Sequence, residues 1–427
     1  MNKPSISVIT FDGPHTPPTL RRVPRPFVPP RGALVRIEAC GVCGTDLHIL
    51  RGHWPGELPW PLTLGHELAG VIEALGAELT SDYMGQPLRV GDRVMMPPLM
   101  SCGTCHYCVH YPARSNRCLN PTYYGRKIGF DRPPHLWGGW AEMVFIDMEA
   151  FPATKVFRLP DDMPIMVGSL VEPYASITRA FNRASTQATD GFKAGDSVVS
   201  QGSGPIGVLA IIAARQRGAG PIVVIGAPEH PRLTLCRAYG ADATISLDTH
   251  QSPTHRIDAV RKATTKFGAD LVMDCSGNPE AGPEGIEMVR DGGTYVEMGQ
   301  FTNAGSIDTN WHRICTKELQ VLGSWAFTPE DIAQAMANLY AVQASYDWSQ
   351  MQRPFPLTER GVADAIHSAT TMACVKATVI PEPRDSDRRP SDTPSVLDDR
   401  TLVRRFTRLH GSSRNAFAFT RQPLGIT

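Results

Sequence analysis

The sequence predicts an α/β protein in which a β-rich part is followed by a doubly wound parallel sheet. Three observations lead to this class. The first half, to about residue 176, is rich in glycine, proline and short apolar segments. From about Lys193, short apolar segments alternate with segments of helical length, and a glycine-rich turn lies between the first two. Strands and helices alternating in this way are typical of a parallel sheet with helices on both faces.

The β-rich part is predicted from turn residues that separate short apolar runs. Residues 33–39 and 69–75 are two such runs. Glycine, proline and polar residues recur between the runs at intervals that suit turns rather than helices. We therefore predict an irregular all-β domain over the first half of the chain.

The parallel sheet is predicted from alternating periodicities in the second half. Strands are expected over residues 197–201, 221–225, 270–274 and 293–298, and helices over residues 208–216, 233–239 and 282–289. A later helix should begin after Thr328, which can cap it, with Pro329 at the first position and acidic residues following. The last ordered strand is expected over residues 374–380.

After Pro381 the composition changes. Residues 381–399 are rich in Pro, Ser, Asp and Arg, which predicts a disordered tail over residues 382–427. Leu402, Phe406 and Leu409 lie at helical spacing among arginines. A helix that binds a partner or a membrane surface is therefore the alternative to a solvated tail.

Length and charge exclude several classes of protein. The 427 residues suit two domains, and 42 Lys+Arg balance 42 Asp+Glu, so no overall charge favours nucleic acid or an anionic membrane. No apolar run approaches the roughly 20 residues that span a bilayer. The first residues show no secretory signal, and clustered cysteines indicate metal binding rather than disulfides. The expected compartment is the cytoplasm.

The glycine-rich turn has the pattern G-x-G-x-x-G between a predicted strand and a predicted helix. Gly202 permits the tight turn, Gly204 lets a pyrophosphate approach the backbone, and Gly207 lets the helix pack closely on the strand. Pro205 and Ile206 open the helix, whose N-terminal amides would bind the phosphates. The turn therefore predicts a dinucleotide site.

The acidic residue that usually binds the ribose hydroxyl is missing. Gly226 and Ala227 stand where it is expected, at the end of the second strand of the unit. Without a carboxylate nothing there repels a 2′-phosphate, and His230 and Arg232 are nearby as possible phosphate partners. Glu229 could still reach the ribose, so NAD and NADP both stay open.

Four cysteines on one short loop form the most specific motif in the chain. Cys102, Cys105, Cys108 and Cys118 are spaced as a closed tetrahedral zinc site requires. An iron–sulfur cluster is the main alternative. The fourth cysteine comes late for that motif, however, and Leu119 rather than proline follows it. We therefore expect a structural zinc ion, and a disulfide pair is the less favoured alternative.

A second set of metal ligands is dispersed along the first half. Cys43, His66, Glu67 and Glu172 offer one thiolate, one imidazole and one or two carboxylates. Such a set could hold a catalytic zinc ion with one exchangeable position. Each residue alone proves little, but the set occurs together with the nucleotide turn and the four-cysteine loop.

Taken together, these motifs resemble the zinc-containing medium-chain dehydrogenase/reductase family, in its alcohol and polyol dehydrogenase branch. The resemblance covers about residues 32–381. It rests on residues 41–48, Gly65-His66-Glu67, residues 90–94, the four-cysteine loop, residues 138–142, Glu172-Pro173 and the glycine turn. The slightly long gap after Cys108, the absent ribose acid and the tail depart from the family pattern.

The resemblance implies a role for each site residue. Cys43 and His66 would be catalytic zinc ligands, with Glu67 or Glu172 completing the set. Asp46 would orient the ligand histidine, and Thr45 and His48 would form the proton relay. The implied fold is a GroES-like catalytic domain (residues 1–176 and 326–381) and a Rossmann domain (residues 177–325). The resemblance also implies two zinc ions per subunit and either NAD or NADP as cofactor. It further implies a homo-oligomer, which would be a dimer or a tetramer.

The implied activity is hydride transfer between an alcohol and NAD(P). Trp54 matches a pocket position of the family, and Trp60, Leu99, Gln300 and Phe301 are expected near the site. These residues favour a hydrophobic primary or secondary alcohol over a polyol. Two alternatives stay open: a quinone or enone reductase of the same fold without catalytic metal, and a non-enzymatic nucleotide-binding protein.

Overall fold

The first part of the fold is built around a seven-stranded sheet. The computed structural model describes residues 5–186, 191–303 and 305–382. The elements of this part are β1 (Ser5–Thr10), β2 (Thr19–Pro24), β3 (Gly32–Gly41), α1 (Gly44–Leu50), β4 (Glu67–Leu75), β5 (Arg93–Met96), β6 (Leu99–Met100), α2 (His106–His110), β7 (Thr122–Tyr123), β8 (Met143–Asp147), β9 (Phe157–Arg158), α3 (Ile165–Gly168) and α4 (Val171–Ser185). A 3₁₀ helix spans Pro112–Arg117.

Strands β3 and β4 confirm the two apolar runs that were predicted as strands. β3 pairs antiparallel with β4 on one side and with β8 on the other, and β1 and β2 form a separate hairpin. The prediction of an all-β first half was wrong at α1, α2 and α3, which lie within it, and at the start of α4, a largely buried helix. In the sequence, Pro173 is typical of a position where a helix is interrupted. It lies in the first helical turn, however, where its missing N–H breaks no helical hydrogen bond.

The second part is a six-stranded parallel sheet. Its elements are β10 (Val198–Gln201), α5 (Pro205–Gln216), β11 (Ile222–Gly226), α6 (Thr234–Ala238), β12 (Ala243–Ser246), α7 (Pro253–Ala263), β13 (Ala269–Asp274), α8 (Ala281–Met288), β14 (Val289–Glu297), α9 (Trp311–Thr316) and β15 (Gln320–Gly323). A π-helical turn, Glu229–Leu233, precedes α6. The strand order is β12-β11-β10-β13-β14-β15, with every neighbouring pair parallel. This arrangement confirms the predicted doubly wound sheet.

Both faces of the parallel sheet are buried. Val198 and Val224 pack into one hydrophobic cluster, whereas their neighbours Val199 and Val223 pack into another. Successive side chains of a strand point to opposite faces, so two clusters require helices on both sides. The strand order reverses between β10 and β13, and ligands bind such sheets in the crevice at that point.

The chain then returns to the first sheet. Its last elements are α10 (Pro329–Val342), α11 (Trp348–Met351), β16 (Gln352–Pro356), α12 (Glu359–Thr370) and β17 (Lys376–Ile380). The predicted cap is confirmed, since the Thr328 hydroxyl accepts a hydrogen bond from the Asp331 N–H. β17 pairs antiparallel with β3 and parallel with β16, so these last described elements complete the first sheet.

No helix within the described ranges has the length and apolar character needed to cross a membrane. Residues 383–427, which carry the predicted tail and the possible helix around Leu402, lie outside those ranges. Both expectations therefore stay predictions.

Candidate active site

One cleft of about 620 Å³ brings together residues from both sheets. The carboxyl ends of β10, β11 and β13 form one wall, and α1 and the start of β4 form the other. The predicted site residues that line this cleft are Cys43, Thr45, His48, His66, Glu67, Glu172, Gly202, Gly204, Pro205, Ile206, Gly226, Ala227 and Arg232. The nucleotide turn and the dispersed ligand set therefore share one space.

The glycine turn has the geometry that its sequence predicts. Gly202 has a φ of +128°, and a Cβ there would lie 2.8 Å from the backbone of Cys275. A Cβ at Gly207 would lie 1.9 Å from the carbonyl oxygen of Gly202. Gly207 thus packs beneath the turn instead of lining the cleft. α5 begins directly after Gly204, so its N-terminal amides face the crevice.

The ribose end of the cleft has no acidic residue at the two expected positions. The Ser203 hydroxyl donates to the Ala227 carbonyl at 3.1 Å, and a Cβ at Gly226 would lie 2.3 Å from the same hydroxyl oxygen. Arg232 lines the cleft, and burial lowers the pKa of its guanidinium. Glu229 is ion-paired with Arg237 on the exposed surface. Arg232 is therefore better placed than Glu229 to contact a bound nucleotide.

The four cysteines of the short loop converge on one point. The sulfur atoms of Cys102, Cys105, Cys108 and Cys118 all lie within 4.8 Å of one another, and all four are free thiols. Backbone N–H groups donate to them, as from Cys105 to Cys102 at 3.3 Å and from Cys102 to Cys118 at 3.1 Å. Such donors stabilise thiolates. The site fits a tetrahedral zinc ion.

Asp46 connects the residues at the start of α1 to the segment just before β4, which carries His66. Its buried carboxylate accepts hydrogen bonds from the N–H of Cys43 at 2.9 Å and of Gly65 at 3.4 Å, and lies 3.2 Å from His66 Nδ1. Burial opposes protonation of His66, yet Asp46 and Cys43 raise its pKa well above the usual value. Asp46 thus orients the imidazole, as acids beside metal-binding histidines do.

A buried lysine, which the sequence analysis did not single out, contacts one of the two candidate carboxylates. Lys376 Nζ is ion-paired with Glu67 Oε2, and both side chains are only 2% exposed. The ammonium also donates to the Val42 carbonyl at 3.1 Å. Glu172 has no such partner among the described residues: burial first, and then the charge of Glu67, raise its pKa to about 7. The two carboxyl groups therefore differ in their surroundings.

Thr45 and His48 are placed beside the ligand set on one helix. The Thr45 hydroxyl oxygen lies 3.6 Å from Cys43 Sγ, and His48 lines the same cleft. Burial, followed by the nearby charges of His53 and Arg51, lowers the pKa of His48. A neutral imidazole near neutral pH can accept a proton.

The second ligand set supplies the donors of a zinc site without closing to coordination distance. Among the described residues, the four-cysteine set is the group of three or more potential ligands whose atoms converge within 4.8 Å. Cys43, His66 and Glu172 nevertheless offer sulfur, nitrogen and oxygen in one cleft, and His66 is held by a carboxylate. This donor chemistry fits a catalytic zinc ion.

A second feature that the sequence analysis missed is a buried arginine at the substrate end. Arg126 lines the cleft with only 4% of its surface exposed. Its guanidinium carbon lies 4.0 Å from the ring centre of Tyr123, 5.0 Å from Trp54 and 5.7 Å from Phe301. Of the residues expected near the substrate, Phe301 and Leu99 line the cleft.

The other expected pocket residues have different positions. The ring centres of Trp54 and Phe301 lie 6.4 Å apart, so Trp54 supports the wall of the pocket from behind. Trp60 packs against the core of the first part, and Gln300 lines a neighbouring pocket. The pocket, which was predicted to suit a hydrophobic alcohol better than a polyol, therefore also includes the charge of Arg126.

Two family models match the chain. Residues 29–161 match the alcohol dehydrogenase GroES-like domain, and residues 205–341 match the zinc-binding dehydrogenase domain. The 5-exo-hydroxycamphor dehydrogenase of Pseudomonas putida is 33% identical over 359 residues, which cover 82% of this chain and 91% of that enzyme.

Solved structures of dehydrogenases are also similar to this chain. An alcohol dehydrogenase from Thermotoga maritima superposes with a TM-score of 0.78 at 26% identity, over 89% of this chain and all of that one. A protein of Sinorhizobium meliloti described as a zinc-binding dehydrogenase, and bound to NADP, superposes with a TM-score of 0.74 at 27% identity. That likeness covers 89% of this chain and all of the other.

Proposed function

Because the chain belongs to the zinc-containing medium-chain dehydrogenase/reductase family, we propose how its cleft carries out alcohol oxidation. Its class is that of a zinc-dependent, nicotinamide-linked oxidoreductase acting on CH–OH groups, which confirms the predicted resemblance. One observation carries the proposal: the glycine turn, the candidate zinc ligands and the relay residues line a single cleft.

Cys43, His66 and Glu172 are the proposed ligands of the catalytic zinc ion, whereas Glu67 stays paired with Lys376. The support is the ion pair, which already balances the charge of Glu67, while Glu172 is buried without such a partner. When bound, zinc would act as a Lewis acid that lowers the pKa of the substrate hydroxyl. A second zinc ion would be held by Cys102, Cys105, Cys108 and Cys118.

Thr45 and His48 are the proposed proton path. The Thr45 hydroxyl lies beside Cys43 and can accept the proton of the substrate alcohol. His48, whose pKa is lowered by burial, lines the same cleft and can take that proton toward solvent. Oxidation of the alcohol releases one hydride and one proton. Thr45 and His48 would remove the proton, and the nicotinamide ring of a bound cofactor would accept the hydride.

NADP is the proposed preferred cofactor, with NAD tolerated. Gly204, Pro205 and Ile206 would face the phosphates, and Gly226 and Ala227 the ribose. Two observations support NADP: Arg232 lines the ribose end, and Glu229 is occupied by Arg237. A similar protein of known structure binds NADP.

The remaining proposals concern the whole protein. We assign residues 1–176 and 326–381 to the catalytic domain and residues 177–325 to the nucleotide-binding domain, with a cytoplasmic location. A homo-oligomer is also proposed. Strand β15 supports it, because it is an edge strand with Val321 45% exposed, and such edges can pair with a second copy.

The test of the proposed function is a panel of primary and secondary alcohols, and their carbonyl products, assayed with NAD and with NADP. We expect turnover of at least one alcohol by protein that contains zinc, and loss of turnover in Cys43→Ser. Reduction of enones by zinc-free protein would instead support the reductase alternative. Nucleotide binding without turnover of any substrate would support a non-enzymatic binding protein.

A further inference from the structure

We propose that the substrate of the cleft is a short hydroxy acid, whose carboxylate binds Arg126 while its hydroxyl-bearing carbon reacts. This inference rests on the proposed function and names its substrate class. It also revises the expectation that a hydrophobic primary or secondary alcohol is favoured. The carboxylate takes no part in the redox step, in which the carbinol carbon loses a hydride to NAD(P) and the hydroxyl loses a proton.

Arg126 is a buried charge without a counter-ion in the part of the chain that the structure describes. Its guanidinium forms no ion pair with any residue of the described ranges, and its Nε has no hydrogen-bond partner there. The Tyr123 hydroxyl is a polar neighbour. Burying a charge without pairing it is costly, and arginine does not escape the cost by losing its proton. A ligand that brings a negative charge would remove that cost.

The surroundings of Arg126 hold it in position. Tyr123, Trp54 and Phe301 surround the guanidinium at distances where cation–π attraction acts. These rings fix the planar group and exclude water. They offer no carboxylate, so they position a charge for a ligand without neutralising it.

The negative groups nearest to Arg126 have other roles. Cys43, Glu172 and Asp46 are close enough to act on its charge but not to bond it. Cys43 and Glu172 are the proposed zinc ligands, and Asp46 is bonded to Cys43 and Gly65. The guanidinium thus lies at the reacting end of the cleft with a hydrogen bond to Tyr123, no ion pair within the described ranges and its Nε unpartnered there.

A carboxylate suits this position better than the other anions or a neutral group. A guanidinium binds a planar carboxylate through paired hydrogen bonds. One arginine charge balances one carboxylate, whereas a phosphate monoester brings close to two negative charges at neutral pH. A ketone or amide oxygen could accept a hydrogen bond but would leave the charge unbalanced.

The test compares matched substrates in the zinc-loaded, full-length enzyme. Short 2-, 3- and 4-hydroxy acids are each assayed beside the corresponding hydroxy amide and hydroxyalkyl phosphate. For the best pair we expect kcat/KM to be at least about tenfold higher for the acid than for the amide. Butanoate, which cannot be oxidised, should inhibit competitively against a neutral alcohol.

Substitution of Arg126 tests whether this residue causes the preference for the acid. Arg126→Gln should lower kcat/KM for the acid by about a hundredfold, mainly through KM, and change the amide less than about threefold. Arg217→Gln is the matched control, since Arg217 is a partly buried arginine 4.9 Å from the Phe181 ring and outside the cleft. It should leave the ratio of acid to amide unchanged.

Several outcomes would overturn the inference. Neutral alcohols turned over without preference for the acid, or a preference for the phosphate, would remove it and leave the proposed function intact. Equal losses for acid and amide in Arg126→Gln would show a structural role only. No turnover of any alcohol would contradict the proposed function itself. If Arg126→Gln fails to fold, the wild-type comparison and butanoate inhibition decide the question.

Discussion

At the scale of single residues, the buried ion pair of Lys376 and Glu67 determines which carboxylates are available in the cleft. Both side chains are almost inaccessible to water. Removing one partner of such a pair typically costs about 3–5 kcal/mol, because the other charge is left uncompensated. The ion pair therefore holds Glu67, which supports the proposal that Glu172 rather than Glu67 binds the catalytic metal.

The cofactor preference can be tested at Ala227. Ala227→Asp would add a carboxylate that accepts a hydrogen bond from the ribose 2′-hydroxyl and repels a 2′-phosphate. We expect the ratio of kcat/KM for NADP to that for NAD to fall at least about tenfold, the scale of one charged contact. Steady-state kinetics with both cofactors measure this ratio.

Ala227→Asn is the control of matched size, and it should change the ratio much less because it adds no charge. Gly226→Asp is the poorer test. A Cβ at Gly226 would lie 2.3 Å from the Ser203 hydroxyl, so the turn itself would move. If the wild-type enzyme does not accept NADP, the proposed preference is contradicted. Another acidic residue would then bind the ribose 2′-hydroxyl, and Glu229 would be the first candidate to substitute.

Motif residues could be predicted from the sequence, whereas buried single charges could not. Cys43, His66 and Glu172 lie in recognisable motifs and all line the cleft. Lys376 and Arg126 have no motif, and their roles depend on side chains that folding brings from distant parts of the chain. One signal was present: a lysine in the apolar run 374–380 is unusual in a buried strand and requires a partner.

At the scale of elements, the four-cysteine loop has little core of its own. Helix α2 has no buried residue, and the 3₁₀ helix Pro112–Arg117 buries only Asn116. Such a segment gains little from the hydrophobic effect, and a bound metal ion would fix it. The proposed role of the loop is therefore to support the fold rather than the reaction.

The two proposed zinc sites should give opposite phenotypes. Cys105→Ser should lower the zinc content by about one ion per chain and lower Tm by at least about 5 °C, because the loop loses its metal. Cys43→Ser should also lose about one zinc ion and abolish turnover, with Tm nearly unchanged. Elemental analysis, thermal unfolding and kinetics measure these effects.

Cys315→Ser is the control for the two cysteine variants, because Cys315 is an exposed free thiol on α9. It should change neither zinc content, Tm nor turnover. Exchanged phenotypes of Cys105→Ser and Cys43→Ser would mean that the two sites have been assigned the wrong way round. Iron instead of zinc in active protein would contradict both assignments.

Elements with strong local periodicity were predicted well. β10, β11 and β13 differ from the predicted strands by about one residue at either end, since a buried parallel strand is a continuous apolar run. α4 was missed although its sequence is amphipathic, because Pro173 near its start is typical of a helix break.

At the scale of the whole molecule, the path of the chain could not be predicted from periodicity. The return of β17 to pair with β3 joins segments more than 300 residues apart. Local patterns predict that a strand forms but not which partner it pairs with. The resemblance to a known family supplied this connection, and the observed pairing of β17 with β3 and β16 agrees with it.

The last prediction concerns the tail beyond the described residues. Both sheets and the cleft that the structure describes are built from residues 5–382, with β17 as the last strand of that part, so we expect the proposed site to function without the tail. Deletion of all residues after Asp387 should leave kcat/KM within about twofold and Tm within about 2 °C of the full chain. A longer deletion from Thr371 is the contrasting control. It removes β17 and Lys376, breaks the pairing with β3 and should prevent accumulation of folded protein. A severalfold loss of turnover, or a changed oligomeric state, after the shorter deletion would show that the tail contributes to the enzyme.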